Sequence, residues 1–192
     1  MSAPTDTERF VPWDIEIARY NFGANCGPIA FAVAAKMEVC DAMQFFPHFA
    51  IQNRRWTNSM QMREALNAVG VEAERLKQSF PEAGLALVQW LGPWTERAFF
   101  SRGSLRYTHW VAVDGDHLFD PNADQWMTLA AWSETFASVC VREIPGARGW
   151  SVKYGFSTIS SQSICPSASG GGATGRLAAG PNSRFSFRPR TF

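Results

Sequence analysis

The sequence is poor in histidine, tyrosine and cysteine, with three, three and four among 192 residues. The cysteines are Cys26, Cys40, Cys140 and Cys165. None stands in CxxC spacing and no His pair accompanies them, which argues against a structural zinc site. Four cysteines in a chain of this length make no disulfide framework, so a reducing compartment is the expectation. No apolar run reaches the ~18 residues of a membrane-spanning helix. Residues 1–10 carry Asp6 and Glu8 and lack the apolar stretch of a secretory signal. Neither a metal nor a cofactor is expected. Acid is missing altogether from residues 144–192, which hold Arg148, Lys153, Arg176, Arg184, Arg188 and Arg190. Residues 1–143 hold the other 12 Lys/Arg against all 17 Asp/Glu. These basic residues are too scattered for a nucleic-acid patch.

What the chain does have is apolar material. Hydrophobic residues make up 46%, charged residues 18% and aromatics 14%, with eight Trp. That is enough to bury a core built from large rings. Residues 1–25 read as an irregular arm with strand-like character around 14–20. Residues 26–158 read as the folded domain. Residues 159–192 read as a Ser/Gly-rich basic tail centred on Ser169-Gly170-Gly171-Gly172, with Phe185, Phe187 and Phe192 near its end.

Within the domain, Gly27-Pro28 opens a helix whose residues from Ile29 to Val39 are apolar all round, as in a buried central helix. Thr57 or Asn58 caps a second helix through Val69, closed by Gly70. Ser79-Phe80-Pro81 begins a third over 82–91, ended by Gly92-Pro93. Strands are expected over 106–113, 117–119, 138–144 and 150–156. Helices followed by an antiparallel sheet make an α+β fold. Trp56, Trp94 and Trp110 are expected in the core.

Two stretches carry chemistry. Asn25-Cys26-Gly27-Pro28 puts a thiol at the N-terminus of the central helix. Unpaired amides and the helix dipole there favour the thiolate, which is the nucleophilic form. The same amides can bind an oxyanion. The second stretch runs from Thr108 to Asn122 around the hairpin signal Asp114-Gly115. Taking those two residues as the turn pairs Val113 with Asp116, Trp110 with Phe119 and His109 with Asp120. Directly opposed residues share a face with Cβ atoms about 5 Å apart. His109 and Asp120 then form the base and orienter of a nucleophile–base–carboxylate set.

Taken singly, each residue also has an ordinary role. Cys26 serves as a small buried hydrophobe, His109 as a structural strand residue and Asp120-Pro121-Asn122 as a turn. Asp114, Asp116 and His117 read as a solvated hairpin tip before they read as metal ligands. His48 reads as a neighbour of the surrounding phenylalanines.

Together, Asn25-Cys26-Gly27-Pro28 with its apolar helix, His109-Trp110-Val111-Ala112-Val113 and Asp120-Pro121 resemble the papain-like cysteine peptidase superfamily. The nearest branch is that of the bacteriocin-leader-processing (double-glycine) peptidases. Met62-Arg63-Glu64-Ala65-Leu66 and Gly70 resemble that branch's second helix, and the likeness covers roughly residues 20–125. It implies a papain-like fold of helices on an antiparallel sheet, with Cys26 as nucleophile, His109 as base and acid, and Asp120 as orienter. The superfamily usually has a Gln six residues before the Cys as oxyanion donor. Tyr20 stands there, and Asn21 or Asn25 is the substitute donor.

Two function classes follow. The first is a cysteine peptidase or related acyl-transfer hydrolase acting on a peptide or protein. The second is a non-proteolytic assembly protein, such as a virion component, whose C-terminal tail binds a protein partner or neighbouring subunit. The expected location is cytoplasmic or virion-associated, without membrane attachment.

Overall fold

Asn25 opens the central helix. Its backbone is extended, and its side-chain Oδ1 accepts the Gly27 N–H at 3.2 Å. One unpaired amide of α2 (Cys26–Ala35) is thereby satisfied. Gly27 through Val33 are all buried, as a helix with no polar face requires. The helix ends where Lys36 turns left-handed at φ 54°. The computed structural model describes residues 8–51, 56–96 and 107–158.

Ahead of α2 lies α1 (Ile15–Phe22), where strand-like backbone was expected. Ile15 and Ile17 alternate as in a strand, but only Ile15 and Ala18 turn into the core. Asp14 precedes α1 and serves a different helix. Its carboxylate accepts the Val39 and Cys40 N–H groups, both at 2.8 Å, and so caps α3 (Val39–Ala42). Burial pushes the Asp14 pKa up, and the hydrogen bonds from Cys40 and Val39 bring it below the usual value. A 3₁₀ turn (Met43–Phe45) and α4 (His48–Ile51) follow. Then comes α5 (Ser59–Ala68), with a capping box. Asn58 Oδ1 accepts the Met60 and Gln61 N–H groups, and Gln61 Oε1 accepts that of Asn58, all at 2.9 Å.

The rest is sheet-building: β1 (Ala73–Lys77), β2 (Ala83–Leu91), a short α6 (Pro93–Glu96), β3 (Thr108–Asp114), β4 (His117–Asp120) and β5 (Gln125–Thr128). A helical excursion follows, made of α7 (Leu129–Trp132), a π turn (Ser133–Ala137) and α8 (Ser138–Glu143), before β6 (Gly149–Thr158). The described strands pair antiparallel in the order β1-β6-β2-β3-β4-β5. The fold is α+β, with helices preceding the sheet.

Both sheet faces are covered. Leu85, Leu87, Trp110, Ala112, Phe119 and Phe156 pack with Ile29, Phe31 and Leu66 of the helices. On the other face Val88, Trp90, Val111, Val113 and Leu118 pack with Trp132 and Ile144. This explains two corrections. Residues 82–91 were expected as a helix and form β2, because a strand buried on both faces loses its polar alternation. Residues 138–144 were expected as a strand and form α8, because Val139 and Val141 mimic alternation in a short helix. A third correction is Trp56, which is 60% exposed where a core ring was expected, whereas Trp110 is buried.

The hairpin also differs in register. Gly115 and Asp116 form the turn, with Gly115 at φ 62°. Asp114 pairs with His117, Val113 with Leu118 and Ala112 with Phe119. Each strand has slid by one residue, so partners change but facing does not. Continuing the ladder, Asp120 falls opposite Val111, which shares its face with His109.

The expected tail over 159–192, the Arg106 start of the strand expected over 106–113, Cys165 and residues 1–7 of the N-terminal arm lie outside the described residues. Among the described residues no helix is long and apolar enough to cross a membrane.

Candidate active site

The hairpin places two buried polar side chains together. His109 is the second residue of β3 and is 1% exposed; Asp120 ends β4 and is 0% exposed. Nε2–H of His109 donates to Asp120 Oδ1 at 2.9 Å, a diagonal contact in place of the directly opposed pair expected. Diagonal neighbours on one face stay within reach of long side chains, so the pair survives the register shift.

Asp120 is held from three directions. Its Oδ1 also accepts the Asn122 N–H at 2.7 Å, closing a turn of the Asx type. Its Oδ2 accepts the indole N–H of Trp132 at 2.6 Å. Burial pushes the Asp120 pKa up, but the charge and hydrogen bond of His109, with Trp132 and Asn122, hold it below the usual carboxylate value. The backbone beyond Asp120 is tied to α1. Arg19 donates from Nη1 and Nη2 to the Asp124 carboxylate at 2.6 and 2.7 Å, and from Nη2 to Pro121 O. The fork geometry fixes the 120–124 segment as a unit.

Cys26 is the first residue of α2 and is half-buried. It lies near enough to the His109 imidazole to contribute to raising that ring's pKa. Because Nε2 faces Asp120, Nδ1 is the ring nitrogen left for the sulfur. Burial pulls the His109 pKa down; the Asp120 charge and hydrogen bond, aided by Cys26, outweigh it and raise the pKa to about 10. The imidazole is thus suited to carry a proton. The other described thiols have no such partner. Burial, Asp14, Asp41 and Glu38 push Cys40 up to about 11. Burial, Asp120 and Glu143 push Cys140 up to about 11.

Of the two expected oxyanion donors, Asn21 points away from the site. Asn21 is exposed on the last turn of α1, and its side chain makes no hydrogen bond among the described residues. Tyr20, at the position of the superfamily's Gln, is 91% exposed. Asn25, by contrast, stands directly before Cys26; its Oδ1 accepts the helix-cap bond, which leaves its amide Nδ2 as the donor atom of that side chain. His48 is buried against Phe46 and Phe49, with ring centroids at 6.1 and 4.8 Å, and its pKa is lowered by burial. At the hairpin tip Asp116 pairs with His117 at 2.5 Å and Asp114 with Arg9 at 3.5 Å. Among the described residues no three His, Cys, Asp or Glu side chains form a group able to hold a metal ion.

Sequence reasoning missed Trp132, Arg19 and Asp124. Asp-Pro-Asn signals the turn after Asp120, but nothing local announces that an indole twelve residues on will reach the carboxylate. No protein-family model, no curated protein and no solved structure matches the chain.

Proposed function

We propose that the protein is a cysteine acyl-transfer hydrolase of papain-like type, acting on a peptide or protein amide. The observation that carries this reading is the grouping of Cys26, His109 and Asp120. The thiol at the α2 N-terminus is close enough to His109 to shift its pKa, and the ring is held by Asp120 at 2.9 Å. In this mechanism the Cys26 thiolate attacks the carbonyl carbon. A C–S bond forms and the carbonyl electron pair moves onto oxygen. The amides at the start of α2 face that oxyanion. The intermediate collapses, the C–N bond breaks and His109 gives its proton to the leaving amine. Water then attacks the thioester, with His109 taking the proton, and the C–S bond breaks to release the acid and restore Cys26. Asp120 keeps the imidazole oriented throughout and stabilises its charged form.

The test is active-site titration with p-nitrophenyl acetate. A stoichiometric burst of nitrophenolate is expected, lost in Cys26→Ala and strongly slowed in His109→Ala. A burst that persists in Cys26→Ala, or no burst from the wild-type chain, contradicts the reading.

A further inference from the structure

Thr57 lies against the start of α2. It is 9% exposed, and its hydroxyl oxygen is buried with no hydrogen-bond partner. A Cβ built on Gly27 would fall 2.6 Å from Thr57 Cβ and closer still to Thr57 Oγ1. The hydroxyl therefore sits directly beside the residue that follows the nucleophile. The backbone of residue 57 is pinned at the same place. Trp110, the residue after His109, donates its indole N–H to Thr57 O at 2.8 Å. Thr57 is thus clasped between the neighbours of Cys26 and of His109.

An unpaired buried hydroxyl is costly, and a valine has the same shape without that cost. A polar group kept under such conditions beside a nucleophile calls for a ligand atom to receive it. The site also lacks a side-chain donor from the α1 side, because Tyr20 and Asn21 are exposed. The Gly27 N–H is already committed to Asn25. The Cys26 N–H has no partner among the described residues.

We infer that the Thr57 hydroxyl is a catalytic residue that donates to the carbonyl oxygen of the substrate as it becomes an oxyanion, alongside the Cys26 N–H. This rests on the acyl-transfer reading above and gives it a side-chain donor on the α5 side of the thiol. It also explains why position 27 carries no side chain: a Cβ there would occupy the space beside the hydroxyl.

Two reactions of the same thiol test it. Alkylation of Cys26 by iodoacetamide displaces iodide and develops no oxyanion at a carbonyl. Acylation by p-nitrophenyl acetate does develop one. In Thr57→Val, acylation is expected to fall about 10²-fold while alkylation of Cys26 stays at the wild-type rate. Thr57→Ser should restore most of the acylation. The thermal midpoint of Thr57→Val should be no lower than that of the wild type, because the lost hydroxyl bonds to no protein group. Unchanged acylation in Thr57→Val overturns the proposal. So does an equal loss in both reactions, which would make Thr57 a support for the thiol and not a donor. A wild-type chain whose Cys26 alkylates but is never acylated overturns the acyl-transfer reading itself, and this proposal with it.

Discussion

Trp132 donates its indole N–H to Asp120 Oδ2 at 2.6 Å, from the far side of the carboxylate that orients His109. The indole is fully buried, stacked on Trp90 at 6.1 Å and set edge-on to Trp150 at 5.1 Å. Trp132→Phe keeps much of this packing and removes the donor. A lost hydrogen bond to a buried carboxylate costs about 1.5–3 kcal/mol. The bond lowers the Asp120 pKa, so its loss raises it. Because a depressed carboxylate stabilises above its unfolded pKa and loses this as pH falls, acid unfolding of Trp132→Phe should begin at higher pH. Urea midpoints measured across the acid range check this.

His109 gives the opposite sign. Its folded pKa is raised, from 6.5 to about 10. A raised base contributes stability that is complete below the unfolded value and disappears as pH climbs through the folded one. The urea-midpoint advantage of the wild type over His109→Gln should therefore be largest below pH 6.5 and narrow toward pH 10. An advantage that grows over this range would mean a neutral imidazole in the folded protein.

Arg19 clamps the segment that carries Asp120. Its side chain is 17% exposed and that of Asp124 is 34% exposed, so solvent screens the pair only in part. Arg19→Met should cost about 1–2 kcal/mol, and Asp124→Asn a similar amount. The double variant should lose less than the sum. Ester acylation should slow in both single variants while Cys26 remains alkylatable.

Gly27 tests the packing around Thr57. In an open helix Gly→Ala is worth about 1 kcal/mol of added stability. Here the new methyl meets Thr57 Cβ at 2.6 Å, and overpacking costs about 1–3 kcal/mol. Gly27→Ala should lower the thermal midpoint, and Thr57→Gly in the same chain should recover part of it.

Legibility from sequence followed where the physics is local. Pro28, Asn58 and Gly70 marked two helices because caps and breakers act within a turn of the residues they stop. The central placement of α2 was legible because Gly27 to Val33 leave no polar face. β2 was not, since burial on both faces erased its period. The turn at 115–116 shows a more instructive error. The partner expected for His109 was off by two positions, yet the His109–Asp120 contact stands, because an even shift preserves facing. Trp132, Arg19 and Thr57 were out of reach from sequence. Each meets the site through tertiary packing, from a segment whose own pattern says nothing about Cys26.

The most direct measurement is site-resolved thiol labelling. The folded chain, with Cys165→Ser to leave only the described thiols, is treated near neutral pH with limiting iodoacetamide, and the labelled cysteines are mapped by mass spectrometry. Cys40 and Cys140, each pushed up to about 11, serve as internal references. Cys26 should be labelled first and selectively, and its labelling should slow sharply in His109→Ala. Labelling spread evenly over the three thiols, or a Cys26 rate indifferent to His109, would contradict an activated nucleophile at the head of α2.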